Sequence, residues 1–512
     1  MNTTSENILT IKGLSKAFAG VKALDNVSFE IRRGEIHCLA GENGSGKSTL
    51  IKLLSGAYQP DSGEFTIGEN TYQSITPAES MRQGIQVIYQ DFSVFPNLTV
   101  AENIAMNAIA NSGKQLISWK AITETAKKAV DRVNFKIDIK EKLENLSVAD
   151  KQMTAICRAI ANDAKLIIMD EPTSSLTKKE VVSLFEVIRN LQEKGIAILF
   201  VSHKMDEVFE ISERFTMLRS GKKIITADTE ELDYEKFVYY MTGRTFRESL
   251  YEPKIDPNET PVLEVRNLCL QRSFKDVSFS VRRGEILGIA GLLGSGRKEV
   301  ALTLFGYYPA TSGTILLNGK EIPIKNIRSA IKNKIGHVPE DRLTEGLSLQ
   351  QSIEDNVAAA NIGCITNRYG IIQEKQKEDL ANSWCKEIGV VMADQKNKVS
   401  TLSGGNQQKV VLGKWLACDP SVLILNGPTV GVDIGSKFDI HNLLKGLADK
   451  GMALIVISDD IPELMVMCNR IKVMRFGQIT DEIIPSDSSE DELMNLMSAD
   501  YIVDSDERIK ES

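Results

Sequence analysis

The sequence has no paired cysteines from which to build a disulfide framework. Its seven cysteines, Cys38, Cys157, Cys269, Cys364, Cys385, Cys418 and Cys468, are scattered, odd in number and free of any CxxC pair. Such spacing gives neither a disulfide scaffold nor a zinc site, and buried, reduced thiols are expected. Histidine is scarce too: His37, His337 and His441 stand isolated, without metal-ligand spacing. Long apolar runs are missing. No stretch approaches the ~20 apolar residues of a membrane helix, and the N-terminal MNTTSENILTIKGL lacks the charged segment and apolar core of a signal peptide. A cytoplasmic chain that spans nothing by itself is the expectation. Basic charge is lacking in sum, the formal net charge being −8. That balance argues against a general nucleic-acid coat, which needs a basic surface.

What is present begins with length. At 512 residues the chain exceeds the roughly 250–300 at which a single core stops growing, so at least two domains are expected. They are copies of each other. LTIKGLSKAFAGVKALDNVSFEIRRGEIHCLAGENGSGKS from Leu9 returns as LEVRNLCLQRSFKDVSFSVRRGEILGIAGLLGSGRK from Leu263. Gly41 matches Gly291 at an offset of 250, while Leu146 matches Leu402, Asp170 matches Asn426 and His203 matches Asp459 at 256. Constant order and near-constant offset mark a tandem duplication. The expected organisation is a first domain over 1–246, a polar linker over 247–261, a second domain over 262–499 and a polar tail over 500–512. Within each copy, apolar strands such as KLIIMD and IAILFVSH alternate with helical stretches, which indicates a parallel α/β sheet. From Asn97 to Asp163 helical periodicity takes over, as in WKAITETAKKAVDRV, and predicts a helical insert.

Phosphate chemistry sits in the first copy. GENGSGKS, from Gly41 to Ser48, fits GxxxxGK[ST], follows the apolar strand EIHCLA and opens the helix STLIKLLSGAY. Its glycines let backbone N–H groups close round phosphates at a helix N-terminus, where the dipole also favours anions. Lys47 supplies a compact positive charge and Ser48 a hydroxyl for Mg²⁺. KLIIMDEP places Asp170 and Glu171 at the carboxyl end of a strand, the edge at which α/β proteins bind ligands. Asp170 is expected to hold Mg²⁺ through water and Glu171 to polarise the attacking water. His203, in FVSHK, ends the next strand and is expected at the γ-phosphate.

In this order, GENGSGKS, Gln90 in VIYQD, MDEPTSSLT and VSHK resemble the ATP-binding-cassette (ABC) ATPases, and LSGGNQQK from Leu402 to Lys409 resembles that family's signature motif. The resemblance covers nearly the whole chain. It implies two tandem nucleotide-binding domains, each with a phosphate-loop α/β core, an antiparallel β subdomain and a helical subdomain. It further implies that two cassettes meet head to tail, each nucleotide lying between the phosphate loop of one and the signature of the other. The nucleotide-binding set is then Gly41, Glu42, Asn43, Gly44, Ser45, Gly46, Lys47, Ser48, Thr49, Gln90, Ser403, Gly404 and Gly405, with Phe18 either stacked on adenine or buried in the core. Ser48, Gln90 and Asp170 would serve the metal, and Lys47, Glu171 and His203 catalysis, with ATP and Mg²⁺ as ligands. LSGGNQQK, HVPEDRLTEGL and the altered second phosphate loop are similar to the tandem ATPases of simple-sugar importers of the ribose, galactose and xylose kind.

The second copy departs from that chemistry. In GLLGSGRK, Arg297 replaces the lysine and Lys298 the hydroxyl; Asn426 and Gly427 replace the two carboxylates; Glu340 and Asp459 stand for Gln90 and His203. The first copy's own signature is LSVAD, with Ala149 and Asp150 where glycines or amides belong, and a carboxylate facing polyphosphate is repelled. Four residues are also missing where Phe18 should recur. All the losses fall on one composite site and spare the other. The expected function is an ATPase at the cytoplasmic face of a membrane, peripheral to two integral permease subunits and served indirectly by an extracytoplasmic solute-binding protein. The cassettes would form a pseudo-dimer within one chain or act as two chains per transporter, without nucleic acid. Importers of nucleosides or of a furanose-like signal molecule are built similarly. A soluble tandem cassette acting on ribosomes or DNA, and a regulatory nucleotide-binding scaffold, are the competing readings.

Overall fold

A computed structural model describes residues 7–111, 118–245, 250–252, 255–256 and 258–499. The tail over 500–512, and 247–249, 253–254 and 257 of the expected linker, lie outside the described residues. The chain divides into two units, Met1–Phe246 and Arg247–Ser512.

In unit one the strands are β1 (Asn7–Phe18), β2 (Val21–Arg32), β3 (Ile36–Ala40), β4 (Ser62–Ile67), β5 (Asn70–Tyr72), β6 (Ile85–Ile88), β7 (Leu166–Asp170), β8 (Ala197–Ser202), β9 (Arg214–Arg219) and β10 (Lys222–Asp228). The helices are α1 (Lys47–Leu54), α2 (Pro77–Arg82), α3 (Val100–Asn111), α4 (Trp119–Val133), α5 (Val148–Ala161), α6 (Lys178–Glu193), α7 (Met205–Ile211) and α8 (Tyr234–Thr242). A six-stranded sheet runs β10-β9-β3-β8-β7-β6, and a four-stranded antiparallel sheet runs β2-β1-β4-β5. Every residue of β3 and β8 is buried, as a parallel sheet covered on both faces requires. The six-stranded sheet is parallel except at β9 and β10. There Ser220 and Gly221, at φ +49° and +78°, turn the chain too tightly for a crossover and leave a hairpin. The insert expected from Asn97 is α3, α4 and α5. Ile122, Ala126, Ala129, Val130 and Val133 form the buried stripe of α4, and Ser147 caps α5 by accepting the N–H of Asp150.

Unit two repeats this order with β11 (Leu263–Leu270), β12 (Phe274–Val281), β13 (Ile286–Ala290), β14 (Ser312–Leu317), β15 (Lys320–Glu321), β16 (Ile335–Val338), β17 (Val422–Asn426), β18 (Ala453–Ser458), β19 (Arg470–Arg475) and β20 (Gln478–Ile483). Its helices are α9 (Arg297–Leu304), α10 (Ile327–Lys332), α11 (Ile353–Ala358), α12 (Glu374–Glu387), α13 (Gly404–Leu416), α14 (Ile434–Asp449), α15 (Ile461–Met467) and α16 (Glu490–Ser498). The sheets run β16-β17-β18-β13-β19-β20 and β12-β11-β14-β15, the same pairings as in unit one. The acidic DSSEDELMNLM opens α16, with Ser489 as cap and Glu490, Asp491 and Glu492 in the first turn. Within the expected linker, Tyr251 is buried in unit two and donates its hydroxyl to Oδ1 of Asp449 at 2.9 Å.

The four missing residues shorten a hairpin. β1 pairs with β2 out to Phe18 opposite Val21, whereas β11 and β12 close at Leu270 opposite Phe274. One expectation needs correction: Cys38, Cys157, Cys385 and Cys468 are buried, but Cys364 is exposed and Cys269 and Cys418 are half-buried. Cys364 and Cys418 stand at connecting turns, and Cys269 lies one residue from the end of β11, where apolar cover is thin.

Candidate functional site

β3 delivers the chain into the loop at Gly41, and only glycine fits there. Its φ is +154°, and a Cβ would lie 2.3 Å from the carbonyl oxygen of Leu218. At Gly46, φ +109°, a Cβ would meet the Ala23 carbonyl oxygen at 2.5 Å. Gly46 caps α1 without any side-chain hydrogen bond, so the helix begins with backbone N–H groups turned toward the loop. Lys47 is buried inside the curve, its Nζ donating to the carbonyls of Gly41 at 2.5 Å and Glu42 at 2.9 Å. Burial lowers its pKa, and the nearby charges of Glu171 and Asp170 oppose that shift. Ser48, Asn43 and Gly44 are exposed, Thr49 and Glu42 half-buried, and Ser45 buried.

β8, next to β3, and β7, next to β8, bring the histidine and the acids to the same edge. Asp170 ends β7. Burial raises its pKa, and the charge of Glu171 adds to the rise. Glu171 sits at φ +47°, its N–H donating to the Val201 carbonyl at 3.0 Å. Nδ1 of His203, just beyond β8, lies 2.9 Å from Oε1 of Glu171 and donates to it in the tautomer protonated there. That hydrogen bond is the main cause holding the Glu171 carboxyl below its usual range. Gln90 is exposed just past β6, on the far side of β7 from β8. Phe18 is 41% exposed at the hairpin tip, its ring 5.3 Å from that of Tyr58, so it is not a core residue.

Sequence reasoning missed a support beneath this edge. Oε2 of the buried Glu207 accepts the Ser202 hydroxyl at 2.6 Å, and Oε1 accepts that of Thr173 and pairs with Lys204. It ties the segment after Glu171 to the end of β8. The signal was available: Thr429, Ser458 and Glu463 recur at the 256 offset, with the same two hydroxyls on Glu463.

Ser403, Gly404 and Gly405 stand in unit two at the start of α13. The Ser403 hydroxyl caps the helix and accepts from the Asn406 side chain at 3.0 Å. Gly405 is also required by packing, because a Cβ would fall 1.9 Å from Oγ of Ser436 on α14.

The second phosphate loop keeps the backbone and exchanges the chemistry. Gly296 caps α9 at φ +94°, as Gly46 caps α1. Arg297 donates to the Gly291 carbonyl, as Lys47 does to that of Gly41, and its Nη2 lies 3.2 Å from Oδ2 of Asp459. Lys298 Nζ lies 3.6 Å from Oε2 of Glu340. The substitutions are therefore reciprocal: the replacement for Lys47 pairs with the replacement for His203, and the replacement for Ser48 with that for Gln90. Asn426 ends β17, and Gly427 adopts φ +56°, its N–H donating to the Ile457 carbonyl at 2.8 Å. Among the described residues no cluster of three or more His, Cys, Asp or Glu could hold a metal. No described helix is long and apolar enough to cross a membrane.

A phosphate loop, a strand-end acid pair and a histidine on one sheet edge define a nucleotide-hydrolysing cassette, present here as one intact and one altered copy. The family model described as "ABC transporter" matches residues 24–174 and again 274–430. Over 491 residues the chain is 40% identical to a putative ribose/galactose/methyl galactoside import ATP-binding protein of Agrobacterium fabrum, covering 96% of this chain and 97% of that one. It is 41% identical over 492 residues to a ribose import ATP-binding protein of Clostridium perfringens, covering 96% and 98%. Among solved structures, the ADP conformation of an ATP-binding cassette of an ABC transporter matches 46% of this chain and 98% of its own, at 26% identity and a TM-score of 0.42. The chain belongs to the ABC transporter family, as a tandem-cassette, ATP-binding transport ATPase.

Proposed function

We propose that the chain drives a membrane importer for a simple sugar by hydrolysing ATP at one site, built from the phosphate loop and acids of unit one and completed by Ser403, Gly404 and Gly405 of unit two. The observation that carries this is the one-sided distribution of replacements. Lys47, Ser48, Gln90, Asp170, Glu171 and His203 are all present in unit one, and their six counterparts in unit two have all changed, yet unit two alone keeps LSGG. Phe18, exposed at the hairpin tip, is available to stack on adenine. The loop N–H groups and Lys47 hold the β- and γ-phosphates. Ser48, Gln90 and Asp170 offer hydroxyl, amide and carboxylate oxygens, a hard donor set that suits Mg²⁺, which would neutralise phosphate charge. Glu171, kept ionised by the His203 hydrogen bond, takes the proton of the attacking water while His203 faces the γ-phosphate. The bond from the γ-phosphorus to the bridging oxygen breaks, leaving ADP and phosphate.

The names of the relatives, import ATP-binding proteins for ribose and galactose, support a sugar cargo. They also support a place on the cytoplasmic face beside permease subunits, two in our reading, fed by an external binding protein. Glu171→Gln is expected to bind ATP nearly as well as wild type and to lose turnover by at least ~10²-fold in a phosphate-release assay; substantial residual hydrolysis would remove Glu171 as the base. Ser403→Arg is expected to damage turnover as severely as Lys47→Ala. Survival of hydrolysis in that variant would sink the composite site. Stimulation of the reconstituted complex by ribose or galactose, delivered by the binding protein, tests the cargo; stimulation by a nucleoside instead would overturn it.

A further inference from the structure

β1 and β2 close on the two-residue turn of Ala19 and Gly20, at φ +44° and +86°, with Phe18 opposite Val21. Positive φ at both central positions matches the twist of the strands and fixes the backbone of the hairpin tip. The direction of the Phe18 ring then depends on its side-chain neighbours. Two lie against it, and a third anchors one of them. The Tyr58 ring meets that of Phe18 at 5.3 Å and 61°, a tilted approach of the kind aromatic pairs favour. Nζ of Lys16 lies 5.5 Å from the Phe18 ring centroid, within cation–π range. Asp61 holds that lysine. Its Oδ1 accepts from Lys16 Nζ at 2.7 Å, and its Oδ2 accepts the Ala17 N–H at 2.7 Å. The bond to Lys16 is the main cause holding the Asp61 carboxyl below its usual range.

Unit two separates the fastening of the strand from the holding of the lysine. The register is the same in both, with Ser15 opposite Ser62 in one sheet and Cys269 opposite Ser312 in the other. It aligns Lys16 with Leu270, Ala17 with Gln271 and Asp61 with Thr311. Oγ1 of Thr311 accepts the Gln271 N–H at 3.0 Å, as Asp61 accepts that of Ala17. A hydroxyl is therefore enough to fasten the strand, and the carboxylate of Asp61 adds only the bond to Lys16. In unit two Leu270 packs on the core, Tyr308 meets the ring of Tyr307 instead, and Phe18 has no counterpart. The ion pair is present where the exposed ring is present and missing where the ring is missing. A pair this open to solvent adds little to stability, so upkeep of the fold does not account for it. We infer that Lys16, Asp61 and Tyr58 are positioning residues of the ATP site, holding the Phe18 ring in the orientation that receives the adenine. This rests on the reading of Phe18 as the surface on which adenine stacks.

The test uses the full chain and compares ATP with inorganic tripolyphosphate, which fills the phosphate loop but has no base to stack. Phe18→Ala should raise KM for ATP by about fivefold or more, the worth of one base on an aromatic ring. An unchanged KM in that variant overturns the adenine reading itself. Lys16→Leu and Asp61→Thr install residues that unit two already carries at these places, so the fold tolerates them. Each should raise KM for ATP by about threefold, the worth of an exposed cation–π contact, with little change in kcat. The inhibition constant of tripolyphosphate should stay at the wild-type value in both. Tyr58→Ala should act like Asp61→Thr, and Tyr58→Phe should keep the wild-type KM, because the ring and not the hydroxyl makes the contact. Since these residues act through Phe18, Asp61→Thr added to Phe18→Ala should raise KM no further. Three results overturn the inference: a raised KM in Phe18→Ala with none in Lys16→Leu and Asp61→Thr, tripolyphosphate weakening in parallel with ATP, or effects that multiply in the double variant.

Discussion

At the scale of single residues, Glu171 and Gly427 share one backbone conformation and differ in what it costs them. Both sit at φ near +50° and both donate their N–H to the strand alongside. Glycine enters that region freely, whereas a residue with a Cβ loses about 1–2 kcal/mol. Unit one therefore holds Glu171, the base in our proposal, in a strained position, and unit two carries glycine at the corresponding place. Glu171→Gly and Glu171→Ala should both be inactive, yet the glycine variant should be the more stable of the two by about 1 kcal/mol. Chemical denaturation of the pair decides the point, and equal stabilities would refute the strain. The same scale shows what was legible from sequence. Lys47, Asp170, Glu171 and His203 were found because each ends a strand or opens a helix, and chain order alone brings such positions to one edge. Glu207 and the pairs Arg297–Asp459 and Lys298–Glu340 were not, since pairing between distant segments leaves no local pattern. Whether Phe18 was core or surface also needed the structure, because an aromatic in a strand fits either.

At the scale of elements, the repeats differ where helices meet. Gly405 fits α13 against α14, and Ala149 leaves a gap between α5 and α6. The parallel α/β sheet, the four-residue deficit opposite Phe18 and the helical insert were legible from apolar runs, residue counts and periodicity, whereas the strand order was not. Nor was the gap, because it depends on side chains from three helices at once. β16 carries a further difference: His337 is buried, stacked 5.1 Å from Phe305, and Trp415 meets the same ring edge-on. Burial pushes its pKa down to about 4 from an ordinary 6.5. The folded state thus binds fewer protons than the unfolded chain in that window, so the stability is present above pH ~6.5 and is lost as the pH falls toward 4. Unfolding free energy should fall by about 3 kcal/mol across the window. His337→Leu should flatten the slope in urea titrations at several pH values, and an unchanged slope would exclude His337 as its source.

At the scale of the molecule, two copies of one architecture differ in which motifs they keep. Unit one keeps the phosphate loop and acids, and unit two keeps the intact signature. Restoring the loop of unit two through Arg297→Lys, Lys298→Ser, Glu340→Gln and Asp459→His, in a chain disabled by Lys47→Ala, should still give no hydrolysis. Asn426 and Gly427 supply no carboxylate, and turnover in that chain would show that the acids are dispensable. The reciprocal ion pairs also bear on how such a chain can change over generations. Reverting Lys298 alone strands the exposed Glu340 and gives up as much as about 1 kcal/mol, and reverting Asp459 alone strands the buried Arg297; neither single step gains catalysis. Paired charges thus act as a latch: Lys298 with Glu340, and Arg297 with Asp459, have to change together, and the two missing acids and the altered LSVAD would still stand between those reversals and a working site.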